Sequence, residues 1–189
     1  MSKATGPAYK VAFRRRRLGL TNYSRRLGLV KSTLPRMVVR KSRRGVLVQF
    51  IAFSPTGDSV LACAKSQQLS KFGWGARRNT PSAYLTGLFA GKLAATKKIS
   101  GFVLDVGIAT PSKGAIVFAA LQGALDAGLK ANYDGKMIDA SRISGAHIAK
   151  YAASSSGTQF AAYARENFDP KKIEEAFAAS KQKILEAKW

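Results

Sequence analysis

No carboxylate occurs in this chain before Asp58. Between Met1 and Gly45 there are fourteen Lys or Arg side chains and no acid to offset them. Such a segment cannot close on itself, because like charges repel and its apolar residues (Val11, Phe13, Leu18, Leu20, Leu27, Leu29) are too scattered to make a core. Residues 1–34 are therefore expected to form a basic arm ordered mainly by a partner. The remainder carries eighteen bases against ten acids, so residues 1–45 hold most of the net charge of +22. A surface of this kind persists where a polyanion is the working partner: nucleic acid first, an anionic membrane second.

The arm's own residues favour RNA. Arg14, Arg15, Arg16 and Arg17 are four consecutive guanidinium groups, and Arg25 with Arg26 follows one short segment later. Guanidinium is the side-chain group best matched to bidentate phosphate contact. Tyr9, Phe13 and Tyr23 are interleaved with these charges, and an aromatic face stacks on an unpaired base or a ribose. A solvated charge run or a nuclear localisation sequence is the competing reading of the four arginines.

A chain of 189 residues with 46% hydrophobic content has enough material for one domain of ordinary size plus extensions. That domain is expected to start near Pro35. The segment 36–40 reads as a strand, 42–45 as its turn and 46–53 as a second strand rich in β-branched and aromatic residues. A turn at 54–57 then leads to a third strand through Val60, Leu61 and Cys63, giving a three-stranded antiparallel meander. Arg43 and Arg44 sit at the first hairpin tip with Arg36, Arg40 and Lys41 flanking it, so the positive field of the arm continues onto the domain. Edge-strand protection by charge is the alternative for these residues.

Beyond a polar loop at 66–78, Asn79 and Pro81 signal a capped helix. Leu85, Phe89 and Leu93 predict its buried stripe, and Ala83, Gly87 and Gly91 a row of small residues for close approach by a neighbour. A short strand at 102–106, a helix from Gly114 to Ala127, a helix from Arg142 to Ala153 broken by 154–157, and a last helix opened by Asp169 and Pro170 complete the chain. The expected class is α/β: a mixed sheet, the meander plus one further strand, with helices packed on it. Its organisation is a basic arm (1–34), an α/β domain (35–151) and a C-terminal extension with a terminal helix (152–189).

Other chemistries find little support. Asp105 and Gly107 at a strand end, followed by Lys113, resemble the strand-acid pattern of magnesium-dependent nucleases, so RNA cleavage using Asp105 is the alternative function. Such sites need two or three further acids converging, and Asp126, Asp134 and Asp139 lack a matching motif. The favoured reading has Asp105 accepting hydrogen bonds from its loop and Lys113 facing a phosphate. His147, the one histidine, reads as a satisfied structural residue, and Cys63, the one cysteine, as a small buried hydrophobe. Phe72 to Gly75 lacks the residues of a nucleotide-binding loop, and Trp74 either anchors its loop or stacks on a base. No metal, cofactor or small-molecule substrate is expected. Nor is a secretory signal or membrane span, so the chain is expected in the cytoplasm.

Several motifs together resemble one family. They are the arm from Tyr9 to Arg17, Thr21-Asn22-Tyr23 with Arg26, Pro35 to Lys41, Asn79-Thr80-Pro81 with Tyr84 to Gly87, Leu104 to Gly107, Thr110 to Gly114, Val117 to Gly128, and Arg142 to Tyr151. Residues 7–151 in this way resemble the archaeal form of universal large-subunit ribosomal protein eighteen, whose eukaryotic counterpart is the large 5S rRNA carrier. The resemblance implies a ribosomal RNA-binding protein that attaches 5S rRNA to 23S rRNA in the central protuberance, beside neighbouring large-subunit proteins. Carried over by position, it implies arm contacts at Arg14 to Arg17, Asn22, Tyr23 and Arg26. It implies a domain RNA face at Arg36, Arg40, Lys41, Arg43, Arg44 and Lys113. The chain departs from the family pattern at Ser82, usually Ala, and at Ser144 and Ala146, usually near acids.

Overall fold

The computed structural model describes residues 6–75, 77–155, 158–166 and 168–187. The arm carries two short helices, α1 (Arg14–Arg17) and α2 (Tyr23–Val30). It is followed by β1 (Arg36–Lys41), β2 (Val46–Ala52) and β3 (Ser59–Lys65), the expected antiparallel meander. A fourth strand, β4 (Val103–Asp105), runs parallel to β1 on its free side, so the sheet order is β3-β2-β1-β4. The β1–β2 turn closes through the Ser42 N–H to the Gly45 carbonyl (2.9 Å) and the Gly45 N–H to Ser42 Oγ (3.1 Å).

Register decides what each sheet face carries. Met37 pairs with Phe50 and Val39 with Val48, and these buried residues share one face with Val46, Ala62 and Ala64. Strand residues alternate between faces. Arg36, Val38 and Arg40 of β1 therefore project to the opposite side with Gln49 and Ile51 of β2. Cys63 pairs with Gln49 on that second face and is half-buried, which corrects the expectation of a buried thiol. Its neighbours Ala62 and Ala64 are the ones that face the core.

The first face is covered by α3 (Thr80–Thr96) and α4 (Ile116–Asp126). Asn79 Oδ1 accepts the Ser82 N–H at 2.9 Å, so the expected cap forms, with Pro81 in the first turn. Rather than burying one stripe, α3 is buried on nearly every side, because sheet, α4 and the C-terminal helix all pack on it. Two glycines set the α3–α4 distance. A Cβ at Gly87 would sit 2.0 Å from the Ala120 carbonyl oxygen, and one at Gly123 would sit 2.1 Å from that of Tyr84.

The remaining elements are α5 (Ala140–Ile143), α6 (Ala146–Ser154), α7 (Ala161–Arg165) and α8 (Ile173–Glu186). The single helix expected from Arg142 to Ala153 is in fact two, separated at Gly145, whose φ of +92° no helix interior allows. A side chain there would also press on Ile173 and Pro81, each 3.2 Å from the built Cβ position, so tertiary packing sets the break. Helix α6 ends at Ser154, the first residue of the expected 154–157 breaker; Ser156 and Gly157 lie outside the described residues. Ile173, Phe177 and Ile184 of α8 are buried in the same core as α3, with the Phe177 ring 5.3 Å from that of Tyr84.

The expected loop at 66–78 is partly a 3-10 helix, Ser66–Phe72. Trp74 is 2% exposed and donates from Nε1 to Ser82 Oγ at 2.8 Å, so it anchors this segment to α3 and offers no face to a base. Ser82, the position that departs from the family pattern, is what satisfies the indole N–H.

Gly87→Ala and Gly123→Ala are each expected to destabilise the chain by about 2 kcal/mol or more, because backbone, not a flexible side chain, blocks the added methyl. Denaturant unfolding of the two variants measures this; Gly128→Ala, whose built Cβ meets nothing within 4 Å, reports the backbone cost alone.

Candidate nucleic-acid interface

The second sheet face is where the arm lies. Arg36 is the first residue of β1 and points to this side, yet it is 4% exposed. A buried guanidinium must be paired. Arg36 Nη1 meets Asp105 Oδ2 at 3.0 Å, and Nη2 meets Asp58 Oδ2 at 2.5 Å. The other oxygen of each carboxylate reaches onward. Asp58 Oδ1 takes Arg26 Nη2 of α2 at 2.9 Å, and Asp105 Oδ1 accepts the Gly107 N–H at 2.8 Å. Arg25 Nη1 donates to the Gly107 carbonyl at 3.3 Å. One connected network thus joins α2, the start of β1, the β2–β3 turn and the loop after β4.

This network frames a half-open cavity of about 430 Å³ between arm and sheet. Arg15, Arg25, Arg26, Arg36 and Arg40 line it, against only two carboxylates, Asp58 and Asp105. Three guanidinium charges are therefore in excess at one concavity, where low-dielectric walls focus the positive potential. Arg15 is aimed by its Nε bond to Thr21 Oγ1 (2.8 Å), and Arg40 by a bond to the Val39 carbonyl (3.1 Å). Gly107 has φ +68°, and a Cβ there would stand 3.0 Å from Arg40 Nη1, so glycine keeps that approach open.

Outside this concavity the arm is largely exposed. Arg14 to Arg17 form the single turn of α1, all exposed. Phe13 is 72% exposed and stands 5.4 Å from Tyr23, tilted at 43°. Asn22 caps α2 by accepting the Arg25 N–H at 3.1 Å, which occupies its side-chain oxygen and leaves its amide donors outward. Asn22 and Tyr23 line a second hollow of about 420 Å³ with Arg16 and Ile108. Arg43 and Arg44 are exposed at the hairpin tip. Lys41 and Lys113 stand together elsewhere, at a separate cavity beyond the ends of β1 and β4.

Fourteen expected site residues thus fall into distinct settings. Arg15, Arg25, Arg26, Arg36 and Arg40 converge; Arg14, Arg16, Arg17, Asn22 and Tyr23 line the outer arm; Arg43 and Arg44 sit at the tip; Lys41 and Lys113 share another cavity. Arg36 differs most from its expected place, since its terminal nitrogens are bound to carboxylates and it has little surface to offer. Sequence reasoning passed over Asp58, although hairpin register would have found it: Arg36 pairs with Ile51 and Ile51 with Val60, which puts the β2–β3 turn beside Arg36. Arg78 and Arg142 were also missed.

His147 was expected to be satisfied, but its Nδ1 is buried without a hydrogen-bond partner among the described residues. Burial, then the nearby Arg142 charge, holds its pKa below the usual histidine value. Asp105 uses both oxygens on Arg36 and the Gly107 N–H, the loop-bracing role expected for it. Among the described residues no three His, Cys, Asp or Glu side chains cluster as metal ligands, and no helix is long and apolar enough to cross a membrane.

Comparison with known proteins bears on this geometry. Residues 7–101 match the family described as "Ribosomal large subunit proteins 60S L5, and 50S L18". The chain belongs to this family. The matched stretch contains the arm, the meander, α3 and the approach to β4. Similarity continues to the C-terminal elements in two archaeal relatives, each named large ribosomal subunit protein uL18. One, from Korarchaeum cryptofilum (strain OPF8), is 44% identical over 183 residues, covering 93% of this chain and 94% of its own. The other, from Thermofilum pendens (strain DSM 2475 / Hrk 5), is 42% identical over 193 residues, covering 97% and 98%. Membership makes the chain a constituent of the large ribosomal subunit, a cytoplasmic ribonucleoprotein of translation.

Asp105→Ala is expected to cost about 3 kcal/mol, because it leaves Arg36 with one counter-charge and the Gly107 N–H without its acceptor. Asp58→Ala is expected to free α2 as well, which faster proteolytic cleavage within residues 14–31 would register. Unchanged cleavage would mean that Asp58 does not hold the arm.

Proposed function

We propose that the chain binds 5S rRNA and attaches it to 23S rRNA in the central protuberance, in contact with neighbouring large-subunit proteins. The observation that carries this reading is the arm laid across the sheet, with five guanidinium groups converging on one concavity and the other three arginines of α1 exposed beside it. Arg14 to Arg17, Arg25 and Arg26 contact phosphates. Arg15 and Arg40 do so inside the concavity, where the rigid sheet fixes their spacing, and Arg36 positions them rather than touching RNA. Asn22 and Tyr23, with Phe13, meet unpaired bases or riboses at the outer hollow. Arg43, Arg44, Lys41 and Lys113 extend the contact over the end of the sheet. The role is structural: affinity comes from phosphate neutralisation and counterion release, selectivity from the shape of the folded face.

Binding of an archaeal 5S rRNA transcript across a salt series tests this. Affinity is expected to fall steeply with salt. Replacing Arg14 to Arg17 together with Gln is expected to lower the slope of log K against log salt by about 3, at roughly 0.7 to 0.9 per phosphate contact. A salt-insensitive affinity, or an unchanged slope in the variant, would refute the reading. In the same assay the RNA is expected to stay intact with magnesium present; cleavage abolished by Asp105→Ala would replace the proposal with a nuclease.

A further inference from the structure

Beyond the carboxyl ends of the parallel strands β1 and β4 lies a cavity of about 490 Å³ that the arm does not reach. Lys41, at the end of β1, and Lys113, in the loop between β4 and α4, line it from the sheet side. Arg78, just ahead of α3, and Arg142 of α5 line it from the helical side. All four side chains are exposed, and none is in an ion pair among the described residues. In the arm cavity Arg26 and Arg36 are matched by carboxylates; here the lining contains no carboxylate at all. Asp139, close in sequence to Arg142, accepts from Ser141 Oγ at 2.7 Å and is near enough to attract the Arg142 charge, but it is not part of the lining.

Four like charges around one hollow repel each other unless an anion sits between them. Two further features fit an anion. The first turn of α4 has no side-chain cap, and its Ile116 and Val117 line the same cavity. The crevice outside the carboxyl ends of parallel strands is also where open α/β sheets take their ligands.

We infer that this cavity is a second phosphate site, binding a backbone phosphodiester of ribosomal RNA through Lys41, Arg78, Lys113 and Arg142, independently of the arm. The RNA source of that phosphate rests on the proposed function; the anion site itself does not. Two contacts on separate sides of the sheet then fix the protein's orientation on the RNA, which a single basic arm leaves free.

The test uses the full chain, the double variant R78Q/R142Q, and K171Q/K172Q as an equal-charge control on exposed residues away from the cavity. Inorganic phosphate replaces chloride at constant ionic strength while the thermal midpoint is followed. The midpoint of the wild type and of the control is expected to rise equally, and that of R78Q/R142Q to rise clearly less, its remaining rise coming from the arm cavity. No rise in the wild type, or an equal rise in R78Q/R142Q, overturns the site. Archaeal 5S and 23S rRNA transcripts are then titrated separately. R78Q/R142Q is expected to lose about tenfold in affinity for one of them and about 1 in salt slope, with the control unchanged. Unchanged binding to both overturns the RNA assignment. A wild type that responds to phosphate but binds neither RNA would leave the site standing and refute the proposed function instead.

Discussion

Arg36 lies at the first position of β1, on the face away from the core, and the arrangement of the basic surface depends on how its charge is neutralised. Transferring a guanidinium out of water costs several kcal/mol unless it is paired with good geometry. Asp58 and Asp105 supply that pairing from two different elements, the β2–β3 turn and the end of β4. Each carboxylate then has an oxygen left over. Asp58 spends it on Arg26 and so fixes α2; Asp105 spends it on the Gly107 N–H and so fixes the loop to which Arg25 bonds. A basic segment that repels itself is thereby given a place on the sheet by two acids.

The opposite face has a different logic. There α3 is enclosed by the sheet, α4 and α8, and the glycines at 87 and 123 let two backbones approach where side chains would hold them apart. The same close packing reaches the C-terminal elements through Tyr84. Its hydroxyl donates to Asp126, which also accepts from Gln122 Nε2 (2.6 Å) and lies 3.7 Å from Lys181 of α8. Burial and that carboxylate push the Tyr84 phenol pKa far up, so it remains a donor. A rigid apolar layer on one side and a cationic, partly solvated layer on the other suit a constituent of a ribonucleoprotein particle, where one face must keep its shape while the other meets phosphate.

Periodicity made much of this legible in advance. The meander, the Asn79 cap, the short strand before Asp105 and the helix after it follow from alternation, turn residues and capping, all of which act over a few residues. The misreadings share one cause. Cys63 was placed in the core because its neighbours are small, but pairing with Gln49 puts it on the other face. The helix through Gly145 looked continuous because its apolar spacing is; only the approach of Pro81 and Ile173 explains the break. Asp58 carries no local signal of its role, and His147 reads as a satisfied side chain, until the elements around them are assembled.

Composition and order alone determined that this chain carries a cationic arm with interleaved aromatics on an α/β domain, because charge balance and hydrophobic period are properties of consecutive residues. Which cations are spent and which are left over was decided only by the tertiary structure. Arg36, with Asp58 twenty-two positions away and Asp105 sixty-nine away, becomes an internal brace. Lys41, Arg78, Lys113 and Arg142, scattered over the sequence, surround one cavity that no carboxylate lines. The physical reason is that pairing energy depends on distance in space and on exclusion of water, and neither is set until the strands have found their register and the helices have closed over them.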